Sequence, residues 1–394
     1  MSPTERATLG DLLSESNELQ GARAGLEPLT LTEGRGFIAQ REKFKKRIAL
    51  EDTSRYKVVR RGDIAYNPYL LWAGALAQNN RWDEAVVSPA YPVFRATGRA
   101  DTRYLWHILQ APDTRARFDS ISFGAIPRRR RATVPDFLRV EIPLPSLLEQ
   151  RRIAAILDHA DALRSAARNA EQRLSELSES YYRQLFVEGE ESGWDSTHVS
   201  ALVADIPNSI RTGPFGSQLL KEELTDNGVP VIGIENVVSN EFHWGSQRFV
   251  TQEKYAQLKR YTVRSGDVLI TIMGTTGRCA IVPDDVGVAI NTKHVVCITL
   301  DRSRCLPQFL RATFLWHQRS RRYLGATEKG AIMAGLNMGL IKAMPVTLPP
   351  IEIQAEFTKF DSAVQQRRIA AQRRVDLLDA LFASLQHRAF GGDL

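Results

Sequence analysis

Hydrophobic positions follow two different periods along the chain. Short apolar runs bounded by Gly, Pro, Asn or Asp predict strands, and DVLITIMGTTG (267–277) and VAINTKHVVCITL (288–300) are examples. Among these runs, DTRYLWHILQA (101–111) and LPQFLRATFLWHQRS (306–320) have the spacing of helices. The pattern shows no regular strand–helix–strand alternation. It therefore predicts α+β domains with a mixed or antiparallel sheet.

Two long stretches follow a helical period instead. Residues 149–187 and 353–390 contain neither Gly nor Pro, and apolar steps of three and four predict helices roughly 58 Å long. The predicted seam of the first helix is Ile153, Ile156, Ala160, Leu163, Ala167, Ala170, Leu174, Leu177 and Tyr181. The predicted seam of the second helix is Phe357, Phe360, Val364, Ala371, Leu378, Leu381 and Leu385, with Arg367 and Arg374 interrupting it. Each helix could pack against its own domain, but the matching seams favour an antiparallel coiled coil.

The chain contains an internal duplication. VRRGDIAY (59–66) recurs as VRSGDVLI (263–270), an offset of 204 residues (263 minus 59). At the same offset, LPSLLEQ (144–150) corresponds to LPPIEIQ (348–354). Tandem copies usually settle around a pseudo-two-fold axis, which here predicts one domain at each end of the helix pair. The predicted boundaries are 1–145 and 189–349 for the two domains and 146–188 and 350–394 for the helices.

Charge and composition narrow the class of protein. The chain has 394 residues and a net charge of +7, which suits a polyanionic partner such as a nucleic acid, although a basic protein without such a partner is the alternative. No run of about 18 apolar residues is present, so we expect no membrane span. Three cysteines and the absence of an apolar leader favour a cytoplasmic protein.

The sequence lacks the motifs that mark catalysis. MGTTGRCA (273–280) has no lysine of the kind that completes a phosphate-binding loop, and the seven histidines show no metal-binding spacing. NPYL (67–70) is similar to the Asn-Pro-Pro-aromatic motif of adenine methyltransferases but lacks the second proline. We therefore expect neither a catalytic residue nor a metal site in this chain.

Basic and polar loop residues are the candidates for contact with nucleic acid. IPRRRRATV (126–134) places four arginines side by side, and either an anion or solvent between their charges would relieve their repulsion. Phosphate contact is the functional interpretation, and a solvated loop is the alternative. RTGPFGSQL (211–219), MGTTGR (273–278) and INTKH (290–294) offer groups of the kind that read base edges, although ordinary turn chemistry is the alternative for each. The candidates in the first half are Lys43, Lys46, Asn67, Tyr69, Arg128, Arg129, Arg130 and Arg131. The candidates in the second half are Ser217, Gln218, Thr275, Thr276, Arg278, Asn291, Thr292, Lys293 and His294.

The chain resembles the specificity subunits of type I restriction–modification systems along essentially its whole length. The resemblance rests on TGPFGSQL, VRSGDVLITIMGTTG, KGAIMAGLNMGLIKAMPVTLPPIEIQ and IPLPSLLEQRRIAAILDHAD, with GDIAYNP and VVSPAYPVF in the first half. It implies target-recognition domains at 1–145 and 189–349, each reading one part of a split DNA sequence. The helices between and after them are then spacers that dock methyltransferase subunits. The docking residues that we expect are Gln150, Arg151, Arg152 and Gln354.

The resemblance also implies partners and cofactors. Double-stranded DNA, two methyltransferase subunits and restriction subunits would be the partners, and the assembly would serve in phage defence. S-adenosylmethionine, ATP and Mg would be bound by the partner subunits and not by this chain, which would be non-catalytic. Two alternatives stay open from the residues alone. One is a solitary DNA methyltransferase or nuclease, and the other is a coiled-coil adaptor with no role on nucleic acid.

Overall fold

The computed structural model describes residues 5–23, 25–43, 53–124, 130–187, 193–245, 247–328 and 336–394. Contacts divide the chain into two units. Unit 1 comprises residues 1–168 and 373–394, and unit 2 comprises residues 169–372. Each unit contains its own sheets and a part of both long helices, so the predicted α+β class with two sheet-bearing regions is confirmed. The four segment boundaries predicted above stay a prediction.

The elements of the first half are short strands with helices among them. The strands are β1 (Arg6–Thr8), β2 (Leu13–Ser16), β3 (Glu27–Thr32), β4 (Gly36–Ala39), β5 (Lys57–Arg60), β6 (Ile64–Tyr66), β7 (Leu76–Gln78), β8 (Glu84–Val87), β9 (Val93–Ala96) and β10 (Glu141–Pro143). The helices are α1 (Leu9–Leu12), α2 (Gln40–Lys43), α3 (Thr102–Gln110), α4 (Pro112–Ser120), α5 (Val134–Leu138) and the long α6 (Leu147–Phe186).

The second half has the same kinds of element. The strands are β11 (Asp195–His198), β12 (Ile210–Thr212), β13 (Val229–Ile232), β14 (Phe249–Val250), β15 (Thr262–Val263), β16 (Val268–Thr271), β17 (Cys279–Ile281), β18 (Ala289–Asn291), β19 (Val295–Ile298) and β20 (Pro345–Leu348). The helices are α7 (Gln252–Leu258), α8 (Pro307–Trp316), α9 (Gln318–Glu328), α10 (Met338–Lys342) and the long α11 (Ile351–Gly391).

The two units have the same sheet topology. The antiparallel sheet β2-β9-β6-β7 of unit 1 corresponds to β12-β19-β16-β17 of unit 2. The mixed sheet β4-β3-β8-β5 corresponds to β14-β13-β18-β15, and each contains one parallel pair at the same place. The pairs β1-β10 and β11-β20 complete the match. The duplication read from the sequence is therefore a duplication of fold.

The repeated VR-x-GD phrase forms the same turn in both units. Gly62 and Gly266 have φ values of +89° and +75°, a backbone conformation that glycine adopts without strain. The next residue in each copy is a buried aspartate whose carboxylate accepts a hydrogen bond from the backbone of Arg60 (2.9 Å) or Arg264 (2.8 Å). The phrase is repeated because its turn fixes the entry into β6 and β16.

The segments of the two long helices in unit 1 lie antiparallel. Arg152 near the start of α6 donates to the backbone oxygen of Leu394 (2.6 Å), and Arg164 further along bonds to Asp379 (2.7 Å). The Arg164 guanidinium holds the pKa of the Asp379 carboxyl below its usual value. The predicted pairing of the two helices is therefore present in this unit.

The helix segments in unit 2 also lie antiparallel. Tyr181 bonds to Glu356 (2.6 Å) and its ring lies 4.1 Å from the ring of Phe360, while Arg368 bonds to Glu171 (3.3 Å). As the residue number in α6 increases, the residue number of its partner in α11 decreases. This is the antiparallel order that the sequence predicted.

The predicted seam is right at alternate positions, and most of the positions between them are shifted by one residue. The inward positions of α6 are Ile153, Leu157, Ala160, Arg164, Ala167, Glu171, Leu174 and Ser178, so Ile156, Leu163, Ala170 and Leu177 are corrected. In α11 they are Phe357, Asp361, Val364, Arg368, Ala371, Val375, Leu378, Phe382 and Leu385, so Leu381 and the interruptions at Arg367 and Arg374 are corrected. Phe360 is half-buried against Tyr181 of α6, as predicted. Polar residues occupy inward positions and pair across the seam, which is why a purely apolar pattern misled.

Two equivalent glutamines anchor the starts of the long helices. Gln150 accepts from the backbone N–H of Asp101 (2.9 Å) and donates to Pro145 O (2.8 Å). Gln354 accepts from the backbone N–H of Leu306 (2.9 Å) and also donates to a proline carbonyl. Both side chains are buried, so each amide ties a long helix to the N-terminus of α3 or α8. A role for these two glutamines in direct partner contact is therefore not supported.

Candidate nucleic-acid interface

A polar loop connects β6 and β7 in unit 1. Asn67 accepts a hydrogen bond from the backbone N–H of Tyr69 (3.0 Å), which folds the NPYL segment into a tight turn. Trp72 donates its ring N–H to Tyr69 O (2.9 Å) and so closes the loop. The Tyr69 ring remains exposed. Asn67 thus acts within the turn, whereas Tyr69 is presented to solvent.

Two arginines of the predicted basic tract pack on this loop. The Arg131 guanidinium carbon lies 5.7 Å from the Tyr69 ring centre, and that of Arg130 lies 5.3 Å from the Trp72 ring centre. Arg130 is also held by Asp119 (2.8 Å), whereas Arg131 is exposed. The fold therefore brings NPYL and two arginines of the basic tract into one surface with an aromatic ring and an exposed cation, features that suit a nucleic acid.

Three loops converge in unit 2. Gly213 donates to Thr292 O (3.2 Å), and a side chain at Gly213 would collide with Asn291 O, because its Cβ would lie 1.9 Å away. Ile272 donates to His294 O (2.9 Å) and joins the third loop. The segment containing RTGPFGSQL therefore forms one surface with MGTTGR and INTKH, which lie more than 50 residues further along the chain.

A groove of about 290 Å³ lies at this convergence. Its apolar lining includes Leu219 and Leu224, and its cationic lining residues are Lys221, Arg248 and Lys293. His294 also lines the groove; its burial, together with the charge of Lys293, lowers the pKa of the imidazole below its ordinary value. A cationic rim around an apolar floor can hold a phosphate and a base edge together.

Comparisons with known proteins show which proteins this chain is similar to. A family model described as the type I restriction modification DNA specificity domain matches residues 211–374. The EcoBI specificity subunit of Escherichia coli is 26% identical over 64% of this chain and 58% of its own length. The StySPI specificity subunit of Salmonella potsdam is 22% identical over 74% of this chain and 65% of its own length. The chain is therefore similar to type I specificity subunits, and residues 211–374 match the model of their DNA specificity domain.

Solved structures from type I restriction–modification systems show the same fold. The S subunit of a type I restriction–modification system from M. genitalium has a TM-score of 0.62 at 13% identity and aligns over 99% of this chain and 97% of its own. A chain from a study of type I complex assembly has a TM-score of 0.54 at 16% identity, with 100% and 99% covered. The chain nevertheless spans only 58% and 65% of the two curated relatives.

Several of the predicted DNA contacts have internal roles instead. Asn291 is fully buried and donates to Val295 O (2.7 Å), and the hydroxyl of Thr292 is buried. Gln218 is exposed, but its carbonyl oxygen accepts from the Tyr261 hydroxyl (2.7 Å), which leaves its amide nitrogen for a ligand. Direct base contact by Asn291 or by the Thr292 hydroxyl is therefore corrected to a scaffold role, because neither group reaches the surface.

Other predicted residues lie on the surface or outside the described residues. Ser217, Thr275, Arg278 and Lys293 are exposed, Thr276 and His294 are partly buried, and Lys43 is exposed at the end of α2. Lys46, Arg128 and Arg129 lie outside the described residues. Among the predicted docking residues Arg151 is exposed, while Arg152 is paired with Glu149 (2.7 Å). The roles of these residues in contact with DNA or partner stay predictions.

The structure also adds residues that the sequence did not single out. Trp72 joins the surface of unit 1, and Lys221 and Arg248 join the groove of unit 2. No sequence motif marks these residues, because their place at each surface depends on how the chain folds around them. Within the described ranges, no helix combines the length and apolar character needed to cross a bilayer, and no group of three or more potential metal ligands is found.

Proposed function

We propose that the chain is the DNA-recognition subunit of a type I restriction–modification complex. Each unit would read one part of a bipartite duplex sequence, and the chain would bring methyltransferase and restriction subunits to that sequence. The observation that carries the proposal is that one sheet topology occurs twice while the loops at equivalent places differ. Two readers of one fold and different loops suit a target made of two different sequences.

The charges and side chains at the two surfaces support the proposal. The net charge of +7 favours binding to phosphates, and the groove of unit 2 has Lys221, Arg248 and Lys293 around its rim. In unit 1, Arg131 and Tyr69 offer a cation and a stacking surface. Phosphate contacts would position the duplex, and the loop side chains would read the base edges.

Catalysis would reside in the partner chains. S-adenosylmethionine, ATP and Mg would be bound by methyltransferase and restriction subunits, and this chain would supply recognition and a docking surface on its long helices. The exposed Arg151 at the start of α6 is retained in that docking role.

The test joins methylome sequencing with a loop exchange. The full chain is expressed with its methyltransferase subunit, and we expect methylation at a two-part sequence. Exchange of residues 193–349 for the equivalent region of another specificity subunit should change one part of that sequence and leave the other unchanged. Methylation or cleavage by this chain alone, or a change in both parts, would contradict the proposal.

A matched pair of variants tests the unit 2 groove. Lys293→Ala should weaken duplex binding about equally across sequences and reduce the salt dependence by about one charge. Arg319→Ala, which removes an exposed cation on α9, is the control. Equal effects of the two variants on affinity and salt dependence would contradict this assignment of the groove.

A further inference from the structure

Unit 1 contains a groove of about 400 Å³ beside the edge strand β7, formed by the β3–β4 turn, β7, α3 and α4. Its aromatic lining residues are Phe37, Trp82 and Trp106. Its cationic lining residues are Arg35, Arg81 and Arg115. No carboxylate is found among the described residues that line it. The volume falls within the range of about 300–1,000 Å³ that is typical of small-molecule sites.

The duplicated fold does not require this groove. Counted from Asp101 and Leu306, the residues that precede α3 and α8, Trp106 corresponds to Arg311 in unit 2. Arg311 is buried and donates to Asn240 O (2.8 Å), so the connection between β13 and β14 lies against α8. The equivalent place in unit 2 is thus occupied by the chain itself.

The connection lengths explain the difference between the units. Between β13 and β14 the chain runs from 233 to 248, whereas between β3 and β4 it comprises only residues 33–35. The short turn leaves the face of α3 in unit 1 uncovered. The Trp106 ring is therefore available to a ligand. At the equivalent place in unit 2, an arginine holds the connection between β13 and β14.

The cationic side chains of the groove differ in whether they have a partner within the protein. Arg81 stacks on Trp82 (4.7 Å from guanidinium carbon to ring centre) and pairs with Glu42 (3.0 Å). The Arg115 guanidinium packs on Gly74, where an added Cβ would lie 1.9 Å from its nitrogen. No described residue forms a hydrogen bond or ion pair with the guanidinium of Arg115 or of Arg35. Two cations beside flat aromatic walls are thus left for an anion.

We propose that this groove binds a nucleotide unit. The base would stack against Trp82 and Trp106, because base–aromatic stacking tolerates any base. The phosphate would accept hydrogen bonds from Arg115 and Arg35, because a guanidinium matches phosphate geometry. Gln110 at the groove wall offers an amide to the edge of the base.

The nucleotide unit can come from two sources. One is a free nucleotide, and the other is a nucleotide displaced from a duplex that unit 1 holds, which rests on the proposed function. In the first arm of the test, dAMP is titrated into the full chain without DNA and binding is followed by calorimetry. In the second arm, a duplex with one unpaired 2-aminopurine is compared with a fully paired duplex, and the fluorescence of the 2-aminopurine is followed.

The variants are Arg115→Gln and Trp82→Ala, with Trp82→Phe as the conservative change and Arg319→Gln on α9 as the matched control for loss of charge. We expect Arg115→Gln to weaken binding about tenfold in the arm that shows binding, because a charge-assisted hydrogen bond is lost. Trp82→Phe should retain most of the binding that Trp82→Ala loses. Thermal unfolding of each variant verifies the fold, and Arg115→Gln, an exposed site, keeps the test open if Trp82→Ala unfolds.

Binding in the first arm assigns the site to a free nucleotide, and binding only in the second assigns it to a displaced one. If neither dAMP nor the unpaired 2-aminopurine responds to Arg115→Gln or Trp82→Ala, the groove does not bind nucleotides and the proposal is overturned. Failure of the proposed function has a different signature, because the fully paired duplex would then not bind at all.

Discussion

The buried aspartates of the repeated turn are neutralised from different strands in the two units. Asp63 pairs with Arg95 of β9 (3.0 Å), and Asp267 pairs with Arg211 of β12 (2.5 Å). The strand register places Arg95 at the position of Thr299, whose hydroxyl donates to Asp267 (2.7 Å). The carboxylate is thus common to both copies, while its cationic partner is not.

The two ion pairs differ in burial, and this difference predicts unequal costs. The Arg211 side chain is 3% exposed and the Arg95 side chain is 42% exposed. Asp267→Asn would leave a buried guanidinium without its counter-charge and should lower the free energy of unfolding of unit 2 by about 3–5 kcal/mol. Asp63→Asn should cost clearly less, because water reaches Arg95. Urea unfolding of both variants measures the difference, and equal losses would contradict the interpretation.

His294 gives DNA binding a predicted pH dependence. In the free chain, burial and the neighbouring Lys293 lower the pKa of the imidazole. A phosphate placed beside the ring would supply the opposite charge and raise this pKa, so binding would take up a proton. Affinity for duplex DNA should therefore increase as the pH falls from about 7.5 to about 5.5, a range that includes the ordinary pKa of a histidine side chain. His294→Gln should remove this component of the pH dependence; an unchanged pH profile in that variant would contradict it.

The candidate residues show what sequence can and cannot predict about a site. The loops were predicted from their polar residue types, and the structure does bring INTKH together with RTGPFGSQL. Which residue of a loop faces outward depends on hydrogen bonds that the sequence does not display. Asn291 points inward because it donates to Val295 O, whereas the adjacent Lys293 is exposed. Residue type thus predicted which loops are polar, but not which of their side chains are exposed.

At the scale of elements, the long helices were predictable and their inward faces were not. The absence of Gly and Pro and the apolar period gave both helices to within two residues at each end. The frame failed because Arg164 and Arg368 occupy inward positions, where they bond to Asp379 and Glu171. A charged residue at a seam reads as a surface residue until its partner on the other helix is known.

The inward positions seen in the structure and those predicted from the sequence lead to different expected effects of mutation. Phe382 is 9% exposed with the Arg164 guanidinium carbon 4.1 Å from its ring centre, whereas the adjacent Leu381 is 48% exposed. Phe382→Ala should lower the free energy of unfolding by about 3–5 kcal/mol, because it removes a buried ring. Leu381→Ala, the matched control, should change it by only about 0.5 kcal/mol. If denaturant unfolding shows a larger loss for Leu381→Ala than for Phe382→Ala, the seam predicted from the sequence would be right at this position.

At the scale of the whole molecule, the duplication was the strongest signal in the sequence. A constant offset predicted two copies of one fold, and strand order and register agree with it. The offset could not predict the different connections after β3 and β13, since insertions change the loops and leave the paired strands intact. The groove beside Trp106 was for this reason invisible in the sequence.

The paired helices lead to a prediction about the spacing between the two parts of the DNA target. If they act as spacers, deletion of residues 169–175 together with 366–372 removes one heptad from each helix. The deletion keeps the seam in frame and removes Glu171 and Arg368 as a pair. Seven residues correspond to about 10 Å of helix, which is about three base pairs of duplex. Methylome sequencing should therefore show a changed gap, or loss of methylation, with both half-sites unaltered in sequence.

Deletion of 169–175 alone is the control for that experiment. It removes Glu171 but leaves Arg368, and it moves the remaining positions of one helix past those of the other by a heptad. The chain should then lose stability and methylation at every spacing, because mismatched layers no longer pack. The paired deletion should retain the thermal stability of the intact chain more closely. A paired deletion that folds and methylates with the original gap would show that the helices do not set the spacing.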